Sequence, residues 1–467
     1  MPTRDLVIVG GGISGLTVLH LVRARRPDWR VELVEGEGRL GGTVGTDVVD
    51  GHRFDHGPNG FLDREPLTLA LCHELGLDDD LERADERAGN RYILREGHLR
   101  PVPTSPGAFL GSQILSRRGK LRLLAEPFRP TGGPGDESVR AFAARRIGPE
   151  AADHLVQPMV SGIYGGLADR LSLPACFPTM RAMEADHGSL TRAMVSRRRA
   201  ARRDRRNGRG GPAVGGPAGP SGRLTTFRGG THRLIDRLEE RHGAHIRTSL
   251  PISVVTRRDG NGDGYEVHSA SGEVLAAHRV VVATPAHAAA TMLEPLSPAL
   301  AGPLAQIPYA PIAVVGLGIR RADIDHDLDG FGFLVPPLEE RAILGVIWTT
   351  SIFADRAPDG YVQLRVMLGG DGNREVVERS DDELVGAACR ELGDVLGLRG
   401  EPALTNVHRW RAGIPQFVLG HRERIAAIDA ALAEHPGLHL AGNAYDGVGL
   451  NDCVARAHHV LDELTAT

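Results

Sequence analysis

The stretch from Leu6 to Glu35 constrains the fold more than any other part of the chain. Leu6-Val7-Ile8-Val9 is a short apolar run, the pattern of a parallel strand buried on both faces. Gly10-Gly11-Gly12-Ile13-Ser14-Gly15 follows as a tight turn. Residues 16–26 carry Leu16, Leu19 and Val22 at helical spacing, and Val31-Glu32-Leu33-Val34-Glu35 reads as a second strand. Gly10-x-Gly12-x-x-Gly15 between a strand and a helix is a dinucleotide-binding turn. Gly10 permits the turn, Gly12 lets the backbone approach a pyrophosphate, and Gly15 lets helix and strand pack closely. The pyrophosphate would lie at the helix N-terminus beside Ser14, where free N–H groups and the dipole favour an anion. Glu35 stands 20 residues after Gly15, placed to accept hydrogen bonds from a ribose hydroxyl. The bland alternative is a plain glycine turn with Glu35 solvated.

At 467 residues the chain has room for two or three domains, and 41% hydrophobic residues supply a core. A net charge of -4 gives no global basic field, so nucleic acid is not expected as a partner. Cys72, Cys176, Cys389 and Cys453 are scattered and form no ligand cluster, which disfavours a disulfide framework or a metal site and fits a reducing cytoplasm. Strand-like residues and glycines follow Met1 at once, so no signal peptide is expected. No apolar run reaches the roughly 18 residues of a membrane-spanning helix. The expectation is a cytoplasmic protein, either soluble or resting on the inner face of a membrane.

Residues 90–195 read as mostly helical, broken by prolines, with helices at 140–146 and 150–155. The run 197–206 is rich in arginine, and a Gly/Pro-rich tract follows over 208–222. Together these read as a mobile surface insertion, because so little of the segment can be buried. Strands and hairpins dominate 245–285, with turn chemistry at Asp259-Gly260 and Asp263-Gly264. Strands and turns alternate over 310–370. A strand at 438–442 runs into a glycine turn, and a helix over 451–464 follows.

Arg39-Leu40-Gly41-Gly42-Thr43 comes directly after Glu35. It resembles the extended fingerprint of FAD enzymes of the amine oxidase class, in which the glycine pair lets a second loop lie against the flavin diphosphate and the arginine adds positive charge. The segment Gly442-Asn443-Ala444-Tyr445-Asp446-Gly447-Val448-Gly449-Leu450-Asn451-Asp452 is another strand-to-helix junction. Backbone N–H groups of Val448, Gly449, Leu450 and Asn451 would stand near the flavin ring, with Asn443 and Asp452 toward the ribityl chain or diphosphate. A helix start capped by Asn451 is the structural alternative.

Across nearly its whole length the chain resembles the protoporphyrinogen oxidases. The matching segments are Gly57-Pro58-Asn59-Gly60-Phe61-Leu62, Asn90-Arg91-Tyr92-Ile93, Leu99-Arg100-Pro101-Val102-Pro103, Ser161-Gly162-Ile163-Tyr164-Gly165-Gly166 and Leu171-Ser172. Further matches are Phe227-Arg228-Gly229-Gly230, Val366-Met367-Leu368-Gly369-Gly370, Arg409-Trp410 and Gly413-Ile414-Pro415-Gln416. Two features depart from the family: Gly166-Leu167-Ala168 replaces its usual Ala-Gly-Asp, and the arginine-rich insertion is not typical of it.

The resemblance implies an α/β fold in three parts. A Rossmann-like FAD-binding domain would be assembled from 1–88, 224–300 and 407–467. A mixed-sheet substrate domain would span 301–406, and a helical, membrane-associated domain 89–223. FAD contacts would include Gly57, Pro58, Asn59, Val254 and Trp410, and substrate contacts Arg91, Gly162 and Met367. The implied reaction removes six electrons from a porphyrinogen in three flavin cycles, with O2 as acceptor and H2O2 as product. The flavin carries the chemistry, and no catalytic protein acid or base is expected. The resemblance also raises a homodimer, peripheral membrane contact and hand-over of product to ferrochelatase. Coproporphyrinogen III oxidation is the nearest alternative, having the same chemistry with four propionates. An amine oxidase, a carotenoid desaturase and a non-catalytic porphyrin carrier are more distant ones.

Overall fold

The computed structural model describes residues 3–133, 135–206, 222–258 and 264–466. Its first sheet has seven strands, in the order Ile246–Arg247, Val31–Val34, Arg4–Val9, Val274–Val282, Tyr265–Ser269 and Ile252–Arg257, with Leu438–Leu440 also pairing with Val274–Val282. The first four and Leu438–Leu440 run parallel. Their apolar runs are continuous because both faces are covered. Leu6, Ile8, Leu33 and Val281 pack against helices Ile13–Arg25, His232–His242 and Leu450–Ala466. Val7, Val9, Val280 and Val282 pack on the other side, against Ala286–Leu293, Pro298–Ala305 and His421–Ala433.

The second sheet also has seven strands, in the order Leu404–Pro415, Tyr309–Arg320, Tyr361–Gly369, Ile343–Trp348, Gly332–Leu334, Arg91–Arg95 and His98–Pro101. Ala313, Val315, Leu364, Val366 and Leu368 face helix Asp381–Leu396, meeting Leu384, Ala388 and Leu392. Successive strand residues point to opposite faces, so Arg365 and Met367 lie on the side away from this helix. Cross-strand register sets two rows on that side. One runs Asn406, Gly316, Arg365, Ile347, Gly332, Arg91; the next runs His408, Val314, Met367, Gly345, Leu334, Ile93. Glycines admit the neighbouring parts: a Cβ on Gly316, in the first row, would meet the Phe54 ring at 2.3 Å, and one on Gly162, outside the sheet, would meet Leu334 of the second row at 2.9 Å.

Two expected boundaries move. Residues 91–101 form a hairpin in the second sheet rather than the start of the helical part, because Arg91–Ile93 pair in parallel with Gly332–Leu334. Residues 404–415 pair with Tyr309–Arg320 and so belong to the same sheet, not to the FAD-side segment. The arginine run 197–206, expected as a mobile surface insertion, forms the second half of helix Leu190–Arg206. Its first turn is held from a distance: the Glu126 carboxylate accepts from Leu190 N at 2.9 Å, Thr191 N at 3.1 Å and Ser189 Oγ at 2.7 Å. An anion at that end suits the helix dipole, and Arg is a good helix former. The rest of the expected insertion, 207–221, and the turn residues Asp259, Gly260 and Asp263 lie outside the described residues.

Helices between Pro106 and Arg206 form a third part, held by buried Arg146 with Glu126 and Glu184. Among the described residues no helix is long and apolar enough to cross a membrane. The four cysteines are free.

Candidate functional site

The glycine turn has the geometry its sequence requires. Gly10 has φ +112°, which favours glycine, and a Cβ on Gly15 would lie 2.0 Å from the Gly10 carbonyl oxygen. Gly12 is extended at the N-cap of helix Ile13–Arg25, a Cβ on it would meet nothing within 4 Å, and no side chain caps the helix. Ser14, in the first turn, contacts the Cys453 thiol and so ties this helix to Leu450–Ala466. Glu35 accepts from Gly11 N at 2.6 Å and from Glu37 N at 2.8 Å, which fixes its carboxylate beside the turn.

The second loop lies across the first. Gly41 N donates to Gly11 O at 2.8 Å, and a Cβ on Gly42 would meet the Gly12 α-carbon at 3.4 Å. Arg39 donates to Gly42 O at 2.8 Å and stands over the Trp410 ring at 5.9 Å. Trp410 in turn donates its indole N–H to His56 O at 3.0 Å, while Gly57 packs so tightly on Thr43 that a Cβ would lie 2.1 Å from the Thr43 carbonyl oxygen. Pro58 and Asn59 continue that segment, and the Asn59 side-chain amide is buried with no hydrogen-bond partner. Val254 lies on the edge strand, just past a turn at 249–251 whose backbone bonds Glu35 and Glu37.

The C-terminal junction reaches the same place from the other side. Gly442 has φ +137° and follows the strand Leu438–Leu440, and Asn443 is half-buried beside it. Val448 packs partly against the helical part. Gly449 N donates to Asp452 at 2.9 Å, and burial pushes the Asp452 carboxyl above its ordinary pKa. Asn451 uses its side-chain amide internally, accepting from Thr68 at 2.7 Å and donating to Leu62 O at 3.0 Å. Of the Leu450 and Asn451 pair, the backbone is therefore what remains for a cofactor.

These features fit FAD. An uncapped helix end with open space at Gly12 suits a diphosphate, a fixed acid suits a ribose, and the orphan Asn59 amide awaits a polar partner. Replacing Glu35 by Ala should weaken FAD binding roughly 10- to 150-fold, the loss of a charge-assisted bond of about 1.5–3 kcal/mol. Unchanged FAD retention on dialysis would remove Glu35 from the site.

The residues expected on the substrate side gather along one sheet face but form no single cluster. Gly162, on helix Gln157–Tyr164, abuts Leu334, which lies in the same register row as half-buried Met367. Arg91 is exposed at the far end of the neighbouring row, its guanidinium 5.3 Å from the Phe331 ring centre and away from the cofactor residues. Sequence reading passed over two features here. His56 stacks on His408 at 3.6 Å with Asp47 Oδ1 2.9 Å from His56 Nε2, and burial, with His56 beside it, lowers the pKa of His408 to about 4. Arg365 is buried on the face that carries Met367; its two-residue spacing from Met367 was the available signal.

The chain belongs to the family of flavin-containing amine oxidoreductases, whose pattern matches residues 13–460. It is a FAD-dependent oxidoreductase with the mixed α/β fold of that family. It is 35% identical to a coproporphyrinogen III oxidase of Propionibacterium freudenreichii subsp. freudenreichii, over 98% of this chain and 90% of that one. It is 32% identical to the chloroplastic protoporphyrinogen oxidase 1 of Arabidopsis thaliana, over 99% and 88% respectively. Among solved structures, a protein of Exiguobacterium sp. 255-15 with a provisional protoporphyrinogen oxidase assignment superposes with a TM-score of 0.84 at 29% identity, covering 100% of both chains.

Proposed function

We propose that this protein oxidises a porphyrinogen to the corresponding porphyrin in haem biosynthesis, removing six electrons per molecule. Bound FAD supplies the two-electron acceptor, and O2 as the final acceptor gives three H2O2 per porphyrin. The observation that carries this reading is the second sheet's face away from helix Asp381–Leu396. Asn59 shares a cavity there with Val314 and Gly316, and the face continues through Met367, Ile347 and Leu334 to Arg91. A flat apolar surface bordered by a cation suits a tetrapyrrole with carboxylate arms.

The chain's own residues do the binding and orienting. The apolar row receives the macrocycle, Gly162 leaves room for Leu334, and Arg91 takes a propionate through its planar fork. No protein acid or base is assigned to the step. The test is oxidation of both protoporphyrinogen IX and coproporphyrinogen III by flavin-loaded protein in air, followed by porphyrin fluorescence. No porphyrin above the uncatalysed rate would overturn the reading.

Arg91→Ala should raise KM about 10- to 100-fold with normal FAD content, and Arg91→Lys should recover only part, since Lys lacks the fork. Wild-type KM in Arg91→Ala would sink the assignment.

We also infer that the helical part rests on a membrane surface. Leu110, Leu121, Leu124 and Phe128 are exposed among Arg117, Arg118 and Lys120, a pairing of apolar and basic side chains suited to an anionic lipid interface. Sedimentation with phosphatidylglycerol vesicles tests this: failure of the wild type to co-sediment, or equal co-sedimentation after Leu121→Glu and Phe128→Glu, would overturn it.

A further inference from the structure

Among the described residues Arg365 forms no close ion pair. It is 8% exposed, and among the described residues no carboxylate lies within 4.0 Å of it. One terminal nitrogen donates to Gly57 O, and its Nε is buried without a partner. It lines the cavity that Asn59, Val314 and Gly316 share, together with Asp55, Thr349 and Gln363. That cavity is rich in unanswered polar atoms: Asn59 Nδ2, Thr349 Oγ1, Gln363 Oε1 and Asp55 Oδ2 also lack hydrogen bonds. Asp55 attracts the guanidinium, but from beyond 4.0 Å and while engaged elsewhere. Its other oxygen accepts from Thr46, Thr231 N and Thr231 Oγ1, and Arg356 stands 3.8 Å from Oδ2. A buried cation left unpaired is costly unless a ligand completes it.

Its position says what kind of ligand. Arg365 and Arg91 occupy the same register row, separated only by Ile347 and Gly332. Three strand spacings of about 4.8 Å put their backbones roughly 14 Å apart across the apolar face. Two cations at opposite ends of a flat surface match a disc with carboxylate arms on opposite sides. Protoporphyrinogen carries its two propionates on adjacent pyrroles, along one edge. Coproporphyrinogen III carries one on every pyrrole, so an arm always points away from the edge that Arg91 holds.

Resting on the porphyrinogen reading above, we propose that Arg365 is a second carboxylate-binding subsite, which receives an inner propionate and makes this protein selective for a tetracarboxylate porphyrinogen. Arg91 holds the outer edge of the disc, and Arg365 the edge nearest Asn59.

The test uses flavin-loaded wild type, Arg365→Gln and Arg365→Lys. In Arg365→Gln, kcat/KM for coproporphyrinogen III should fall about 10- to 100-fold, and at least tenfold more than for protoporphyrinogen IX. Equilibrium binding of the product coproporphyrin III, read by porphyrin fluorescence, should weaken in parallel. Arg365→Lys should restore part of both and keeps the test decisive if Arg365→Gln does not fold. Equal losses on both porphyrinogens, no loss on either, or FAD loss in Arg365→Lys would overturn the subsite. A wild type that oxidises neither porphyrinogen would instead overturn the functional reading on which it rests.

Discussion

Gly15→Val should yield no flavin-loaded protein. The new Cβ would sit 2.0 Å from the Gly10 carbonyl oxygen, far inside contact distance. The obstacle is backbone, so no rotamer change relieves it. Gly10 cannot retreat either, because its N–H donates to Val34 O at 2.8 Å and joins the turn to the second parallel strand. Relief therefore requires the first helix to move off the sheet, taking with it the N-terminus that would hold the diphosphate. The readout is visible flavin absorbance of purified protein. A normal flavin-to-protein ratio in Gly15→Val would contradict the close packing described for the turn.

Glu126→Ala should destabilise the flavin-loaded protein by about 3 kcal/mol, the lower part of the range for breaking a buried ion pair. Arg146 is fully buried, and losing Glu126 leaves it with Glu184 alone, 3.4 Å away. Helix Leu190–Arg206 would lose the carboxylate on its first turn as well. Burial pushes the Glu126 carboxyl up, but hydrogen bonds from Ser189, Thr191 and Arg146 outweigh it and hold the pKa at about 2. This folded value lies below the ordinary unfolded one of about 4.3. The stabilisation is thus present in full above about pH 4.3 and lost as pH falls toward 2. Urea midpoints measured from pH 7 down to pH 3 should fall more steeply for wild type than for Glu126→Ala below about pH 4.5. Parallel curves would show that Glu126 is not the titrating group.

The parts of the fold legible in the sequence were those where backbone chemistry leaves little choice. Gly10, Gly12 and Gly15 sit where side chains would clash or crowd a ligand, so their spacing, set between an apolar run and a helical pattern, announced the turn. Arg91 was singled out as a substrate contact, but its hairpin was grouped with the helices that follow it. Nothing local says that Arg91–Ile93 pair with Gly332–Leu334, since a parallel partner lies far along the chain. The arginine run was read as a solvent-facing surface segment, and 197–200 are exposed. What its composition did not announce is the helix, whose first turn is held by Glu126, more than sixty residues upstream. Arg365 escaped notice because a strand of alternating character reads as half-exposed. Its polar side is in fact covered by the FAD-binding segments, and only the assembled molecule shows Gln363 and Arg365 as interior residues.

The order of strands in the first sheet also bears on how the protein is made. Arg4–Val9 pairs with Val274–Val282, which pairs in turn with Leu438–Leu440. A ribosome emitting this chain releases the glycine turn first and the strand that completes the same sheet more than four hundred residues later. At about 5–20 residues per second, the nascent protein holds an incomplete, largely apolar sheet for tens of seconds before its cofactor cradle can close. Pairings between such distant segments also slow the search that follows release. Flavin loading is therefore a late event, and holding chaperones have a long interval in which to act.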